Sequence, residues 1–305
     1  MEIGIWGMGR MGSNMVRRLV DKGGHRVIAG NRSSGKVDEA VEHGAEGAYS
    51  VEEFVRMQES PRVLWTMLPA GDVTDDMVRQ FIERADEGDI IVDGANSYFR
   101  DSVARAREVR NAGLRWLDAG VSGGVWGYDV GYCTMIGGDA DAFEYVEPVF
   151  ETLAPPNGYA YLGDAGAGHF AKMVHNGVEY GMLQAYAEGF EILEKSQYDY
   201  DLRALASLWN QGSVVRSWLL ELAERAFEND ANLDSLSGYV EDSGEGRWTV
   251  LEAVHESVPA NAIAGSLFAR FASRQDDSFA MKVIAALRGE FGGHAIKEAA
   301  TEQEK

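Results

Sequence analysis

The stretch GIWGMGRMGSNMVRRLV, Gly4–Val20, decides the fold. Gly7, Gly9 and Gly12 stand in the spacing GxGxxG, directly after a short apolar run at residues 2–6 and directly before an amphipathic segment. The bare pattern is common, and its context is what counts. A strand that enters a glycine turn and leaves it as a helix presents backbone N–H groups and the positive end of the helix dipole to an anion, while glycines let the backbone approach a pyrophosphate. Gly7, Met8, Gly9, Arg10, Met11 and Gly12 would line that cradle. The alternative is a structural glycine turn with no ligand.

About twenty residues on, the second apolar run, HRVIAGN, ends at Asn31. Dinucleotide folds that hold a free ribose diol often place a carboxylate there. Here the residues are Asn31, Arg32 and Ser33, which offer donors and a cation and suit a 2′-phosphate better, so NADP is favoured over NAD. Arg32 could equally be a solvated surface residue.

Further out, RVLWTMLP, DIIVDGANS, LRWLDAGVSGG and GYCTMIGG continue an alternation of short apolar runs with amphipathic segments. That rhythm predicts a largely parallel sheet. From about Ala165 it gives way to segments with helical periodicity and no strand alternation. The expected fold is an α/β Rossmann-type N-terminal domain with a mostly parallel sheet, residues 1–163, followed by an all-α domain, residues 164–305. The turn YLGDAGAG, residues 161–168, marks the boundary, with Asp164 placed to cap the helix that follows.

Composition narrows the function. With 49 acidic against 28 basic residues the formal charge is −21, which disfavours nucleic acid and anionic membrane surfaces as partners. Seven of the basic residues are lysines, and this acidic, lysine-poor balance resembles that of salt-adapted proteins. An anionic substrate would need a local basic pocket. Cys133 is the single cysteine, so an internal disulfide and a cysteine-ligated zinc site are both excluded. The N-terminus carries no targeting signal and no run of eighteen apolar residues follows, so a cytoplasmic protein is expected.

Against that scarcity of lysine, the stretch HFAKMVHNGVEYG, His169–Gly181, stands out. At about 100° per residue, Lys172, His175, Asn176 and Glu179 share one arc of a helix. The remaining surface is apolar, and the periodicity runs on to Leu193, which predicts a long, largely buried helix. A buried charge is costly unless paired or used. The competing reading is a solvated face or an i,i+7 ion pair.

KMVHNGVEYG (172–181), DGANSYFRDS (93–102), GVSGGVWGYDVGYCTMIGG (120–138), GRWT (246–249) and RGEFGGH (288–294) resemble, in order along nearly the whole chain, the motifs of the decarboxylating 6-phosphogluconate dehydrogenases in their short form. LWNQGSVVRSWLL (208–220) is similar to that family's helical domain. The resemblance implies oxidation and decarboxylation of 6-phosphogluconate to ribulose 5-phosphate with NADP or NAD and no metal. Lys172 would be the base, neutral at the start as burial favours, and Glu179 the acid. It further implies that Asn96, Ser122, Gly123, Gly124, His175, Asn176 and Tyr180 bind the sugar acid, and that Arg247, Arg270, Arg288 and His294 hold its phosphate. Leu68, Pro69, Ala70 and Asn96 would meet the cofactor. Ser122 could otherwise be a plain turn residue and His294 a helix cap. Arg288 and His294 would reach a neighbouring subunit's site, which implies a homodimer or homotetramer. Two positions depart from the family: Arg247 replaces a more usual lysine, and Gly9 a frequent alanine. The rival assignment is a β-hydroxyacid dehydrogenase for a small acid such as 3-hydroxyisobutyrate, which would not need Glu179, Tyr180 or the arginine set.

Overall fold

The structure is a computed structural model and describes residues 1–292 and Lys297. In chain order the elements of the first half are β1 (Glu2–Trp6), α1 (Arg10–Gly23), β2 (Arg26–Gly30), α2 (Ser34–Glu42), β3 (Glu46–Ala48), α3 (Val51–Arg56), β4 (Val63–Thr66), α4 (Asp72–Ile82), β5 (Ile90–Asp93), α5 (Phe99–Asn111), β6 (Arg115–Ser122), α6 (Gly127–Val130), β7 (Cys133–Gly138), α7 (Ala140–Leu153) and β8 (Tyr159–Gly163). Among the described residues, six helices follow: α8 (Ala167–Glu194), α9 (Leu202–Trp209), α10 (Trp218–Asn229), α11 (Glu245–His255), α12 (Asn261–Ala272) and α13 (Phe279–Gly292). This is the expected α/β architecture with a helical second half. No helix among the described residues is long and apolar enough to cross a membrane.

The eight strands form one sheet in the order β3-β2-β1-β4-β5-β6-β7-β8. Pairing is parallel except between β6 and β7, which run antiparallel. The order reverses between β1 and β4, and a crevice at the C-terminal ends of the strands opens at such a switch point. Period-two alternation explains why strands read as unbroken apolar runs: Ile3, Ile5, Val63, Trp65, Ile90 and Val92 enter the core beneath α1 and α7, while Leu64, Ile91 and Trp116 enter the opposite core beneath α3–α5. Each such side chain contributes roughly 1.5–3 kcal/mol when removed from water. The six runs read as strands are all strands. The short β3 and the half-exposed β8 were not anticipated, having too few buried residues to leave a pattern.

The chain divides into two compact units, residues 1–177 and 178–305. In the second, Phe190, Ala206, Leu220 and Phe227 form the core, with the Phe190 ring 5.0 Å from Phe227 and 5.6 Å from Trp209. The helical periodicity of the second half breaks between α9 and α10, where Gly212 takes φ 78° and Ser217 caps α10 by accepting from Leu220 N at 3.2 Å. Two expectations about α8 are corrected. Its apolar side is only partly buried: Met173 and Phe190 are, but Phe170, Val174, Val178 and Met182, four residues apart, stay between 36% and 49% exposed. Its N-terminus is capped not by Asp164 but by Asp118 of β6, whose carboxylate accepts from Gly166 N at 2.7 Å and His169 N at 2.9 Å. A fully buried acid from the sheet makes the better cap, because it satisfies two N–H groups that water cannot reach.

Candidate active site

The glycine turn is built so that each glycine answers a different demand. A Cβ on Gly7, at φ 116°, would sit 2.5 Å from Met67 O, and one on Gly12 would sit 2.0 Å from Gly7 O, so both keep the turn and α1 tight against β4. Above Gly9 there is nothing within 4 Å. That open space, at the N-terminus of α1, is where a dinucleotide pyrophosphate fits, and an alanine would be accommodated too. Met8 N donates to Asn31 Oδ1 at 3.1 Å, and Asn31 Nδ2 to Ser33 O at 3.4 Å, so Asn31 braces the edge. Arg10 and Arg32 are exposed, and Met11 is half-buried. Ser33 precedes α2 without its side chain capping it. Leu68, Pro69 and Ala70 follow β4, with Pro69 O accepting from Thr74 Oγ1 at 2.8 Å.

Beyond β5 the chain turns through Asp93–Ser97. Asp93, fully buried, accepts from Ala95 N at 2.9 Å, Ser97 Oγ at 2.9 Å and Arg105 Nη1 at 2.8 Å. Burial works against the Arg105 charge, but Asp93 and Asp75 outweigh it and raise its pKa, so the ion-paired network stays charged. This frame holds Asn96 at φ 50°. Its amide pairs with the Val121 backbone, donating to Val121 O at 3.2 Å and accepting from Val121 N at 2.9 Å. Asn96 thereby ties the turn to the residue before Ser122.

Lys172 lies on α8 against β6 and is 5% exposed. Its Nζ donates to Asn176 Oδ1 at 2.6 Å and lies 3.3 Å from His175 Nδ1; His175 Nε2 lies 3.4 Å from Ser122 Oγ. The pairing serves Lys172 in two states. An ammonium can donate to both Asn176 and His175, whereas a neutral amine can accept from His175 Nδ1–H while donating to Asn176. The seat itself is made of glycines. A Cβ on Gly120 would fall 2.4 Å from Lys172 Cβ, and one on Gly168 would fall 2.5 Å from Met135 O and 2.6 Å from Asp118 O. Helix α8 therefore starts in direct backbone contact with β6 and β7. Gly123 and Gly124, at φ 134° and 55°, carry the chain away from Ser122.

A second constellation lies wholly in residues 178–305. Arg270 stacks its guanidinium 3.4 Å from the Tyr180 ring centroid and donates to Glu241 O at 3.1 Å. Arg247 Nε donates to Asp242 Oδ2 at 2.5 Å and Arg274 Nη1 to Asp242 Oδ1 at 2.8 Å. Hydrogen bonding from Arg247 holds the Asp242 carboxyl below the usual carboxylate range despite its burial, and the same bond raises Arg247. Tyr180 Oη accepts from Ser243 N at 3.3 Å, and a Cβ on Gly246 would strike its ring at 2.4 Å.

Residues 2–163 match the family described as the NAD binding domain of 6-phosphogluconate dehydrogenase, and residues 168–303 match the family described as 6-phosphogluconate dehydrogenase, C-terminal domain. The chain belongs to the 6-phosphogluconate dehydrogenase family. A Bacillus subtilis relative, provisionally named as a 6-phosphogluconate dehydrogenase, is 46% identical over 298 residues, covering 98% of this chain and 100% of its own. A Haloferax volcanii relative named as an NAD(+)-dependent, decarboxylating 6-phosphogluconate dehydrogenase is 43% identical over 298 residues, covering 97% of this chain and 98% of its own. The solved Plasmodium falciparum 6-phosphogluconate dehydrogenase superposes with a TM-score of 0.82 at 27% identity, covering 99% of this chain and 67% of that one.

Among the residues the family resemblance singled out, the structure brings Lys172, His175, Asn176 and Ser122 into one hydrogen-bonded group, and Tyr180 into contact with Arg270. Arg247 shares the Asp242 neighbourhood with Arg274. Arg288 is exposed on α13, and it makes no ion pair among the described residues; His294 lies outside them. Glu179 is half-buried on α8. Sequence reasoning missed Asp118, Gly120, Asp242, Arg274 and Gly246. For Gly246 the signal was present in GRWT, where only a residue without Cβ lets α11 reach the Tyr180 ring.

Proposed function

We propose that this chain oxidatively decarboxylates 6-phosphogluconate to ribulose 5-phosphate and CO2, with residues 1–163 holding the dinucleotide and residues 164–305 serving substrate and assembly. The observation that carries this is the buried Lys172, hydrogen-bonded to Asn176 and adjoining His175, on a glycine seat beside Ser122. Neutral Lys172 takes the proton of the C3 hydroxyl. A dinucleotide held at the Gly7–Gly12 turn and beside Asn96 would supply the acceptor for the hydride that leaves C3. Lys172, now an ammonium, donates to the C3 carbonyl oxygen of the β-keto acid and draws in the electrons released as CO2 leaves. Glu179, two turns along α8, protonates the enediol at what becomes C1 of the product. No metal is required for these steps. Asn96, Ser122, Gly123, Gly124, His175, Asn176 and Tyr180 take the carboxylate and hydroxyls. Arg247, Arg270, Arg288 and His294 take the phosphate, which supplies the basic pocket an acidic protein needs. A small unphosphorylated acid such as 3-hydroxyisobutyrate would leave the arginines without a ligand, and the relatives' names do not favour it.

NADP is the cofactor that the exposed Arg32 and the uncommitted Ser33 hydroxyl suit, although the Haloferax relative is named as NAD-dependent. Homodimer or homotetramer assembly is supported by the exposed apolar stripe of α8, since an uncovered stripe of this kind marks a contact face. The single cysteine supports a reducing, cytoplasmic setting, and the acidic, lysine-poor composition supports a salt-tolerant enzyme.

The test follows reduction of NADP and of NAD with 6-phosphogluconate in low and high KCl while CO2 is trapped. Stoichiometric CO2 with the reduced cofactor is the expected result. Turnover of 3-hydroxyisobutyrate alone would replace this reading with the broader one. Arg32→Ala should lower the preference for NADP, and an unchanged preference would remove Arg32 from the phosphate site.

A further inference from the structure

Asn14, Arg18 and Lys22 recur every four residues along α1, and each donates from its side chain to the backbone of the segment that follows Ser122. Asn14 Nδ2 donates to Val125 O at 3.0 Å, Arg18 Nη1 to Tyr128 O at 2.8 Å, and Lys22 Nζ to Tyr128 O at 2.7 Å and Asp129 O at 3.2 Å. Asp21 accepts from Tyr128 Oη at 2.8 Å, and the Arg17 guanidinium lies 4.4 Å from the Tyr128 ring centroid. Positions 14, 17, 18, 21 and 22 make one face of a helix. This face belongs to the helix whose N-terminus is the dinucleotide turn, and it grips the strand connection that begins at the substrate residues Ser122–Gly124.

The chemistry of the grip is specific. Helix α6 has four residues; Gly127 O accepts from Gly131 N at 3.0 Å, while the Tyr128 and Asp129 carbonyls at its C-terminal end are met by the cationic side chains of α1, the natural donors there. Glycines at positive φ flank the segment, Gly123 at 134°, Gly124 at 55° and Gly131 at 91°, so its conformation depends on what holds it. Arg18 is the centre of that hold. It is buried, its Nε donates to Thr152 O at 2.8 Å in the last turn of α7, and its Nη1 also reaches Asp129 O at 3.4 Å, so the guanidinium plane is locked between backbone acceptors of both segments. Beneath the segment, Tyr132 is fully buried with no hydrogen-bond partner for its hydroxyl among the described residues, and burial pushes its pKa up to about 12. The orphaned hydroxyl leaves the underside of the segment without a polar anchor of its own.

We propose that Arg18 is a positioning residue that couples the dinucleotide helix to the substrate loop, so that an occupied cofactor turn steadies Ser122–Gly124 for the sugar acid. Such coupling is reciprocal: cofactor tightens substrate binding as much as substrate tightens cofactor binding. The identity of the sugar acid rests on the function proposed above; the coupling does not.

The experiment compares the full-length protein with Arg18→Met, which keeps the volume and loses all three hydrogen bonds, and Arg18→Lys, which keeps one donor group. Hydrogen exchange of the 123–131 amides is measured with and without saturating NADP, with NAD in parallel, alongside steady-state kinetics with 6-phosphogluconate. In the parent protein the dinucleotide slows exchange across 123–131. In Arg18→Met that slowing is lost while the dinucleotide still binds, KM for 6-phosphogluconate rises roughly tenfold, and kcat falls far less. Arg18→Lys recovers part of both effects. The proposal is overturned by persistent dinucleotide-dependent protection in Arg18→Met, by its absence in the parent, or by a lowered melting temperature with KM unchanged. A parent protein inactive on 6-phosphogluconate would refute the substrate reading, and the exchange arm would still decide the coupling.

Discussion

Helix α8 carries members of two constellations that are held in opposite ways. Lys172 sits in a seat with no slack: 5% exposed, with Gly120 so close that one added carbon would collide with its Cβ. Arg247 has a side chain 50% exposed and is steered by a single carboxylate, Asp242, which is itself 2% exposed. The contrast fits the tasks proposed for the two residues. A group that takes and returns a proton needs a defined position and partial desolvation, because both its pKa and its reach depend on them. A group that meets a phosphate dianion must stay open enough to admit it, and a buried, unpaired cation would be costly while it waits.

The largest expected effect tests the rigid side. Lys172→Met should lower kcat by roughly 10²–10⁴-fold, the range for losing a positioned acid–base group, with dinucleotide binding retained in a direct binding titration. A loss below tenfold would mean that Lys172 is a structural residue, and the contrast with Arg247 would vanish.

Gly120→Ala sharpens the same point without touching a titrating group. The added Cβ must displace Lys172 or the start of α8, and overpacking of this kind costs about 1–3 kcal/mol of stability. Because displacing a reacting group by about 1 Å can cost on the order of 10² in rate, kcat should fall further than the loss of stability alone explains. Equal kcat per folded molecule, measured by active-site titration, would show that the seat tolerates movement.

On the open side, Asp242→Asn removes the partner of both Arg247 and Arg274. KM for 6-phosphogluconate should rise several-fold, roughly 1 kcal/mol of misplaced binding, with kcat nearly unchanged. Its pH signature has a definite sign. The folded pKa of Asp242 is depressed below the ordinary 3.8, so its stabilisation is present above that value and is lost as pH falls through the folded one. Acid melting of the parent should therefore be steeper below pH 3.8 than that of Asp242→Asn.

The rigid region was also the more legible one. The glycine turn, six strands and the polar stripe of α8 are local, and local periodicity survives in a sequence because successive residues face successive environments. What the sequence did not disclose was pairing across long separations. Asp118 caps α8 from 48 residues away, displacing the nearer Asp164, because only a fully buried carboxylate reaches both N–H groups. Asp242 and Arg274 are 32 residues apart. The exposed apolar stripe of α8 misled for a related reason: periodicity reports that a face is apolar, not that anything in the same chain covers it. The stripe Asn14, Arg18, Lys22 would have passed as a solvated helix face, and the structure gives every member a backbone acceptor.

The smallest effect lies on the seam that Arg18 shares. His25 Nε2 lies 2.8 Å from Thr152 Oγ1, and its Nδ1 lies 3.2 Å from the N-terminal nitrogen of Met1. Burial, and after it the N-terminal ammonium, lower its pKa from the ordinary 6.5. The folded protein thus takes up this proton less readily than the unfolded chain, so the stabilisation stands above pH 6.5 and drains away as pH falls through the folded value. His25→Gln cannot titrate and still offers Thr152 a hydrogen bond. The melting temperature of the parent should fall between about pH 7 and pH 5 by more than that of His25→Gln, while the pH dependence of kcat should be the same in both, because the group lies just past the C-terminal end of α1, at the far end of that helix from the glycine turn. A kcat profile that shifted with His25→Gln would show that the α1–α7 seam reaches Lys172 after all, and the rigid seat would then extend across the whole first unit rather than ending at the glycines around α8.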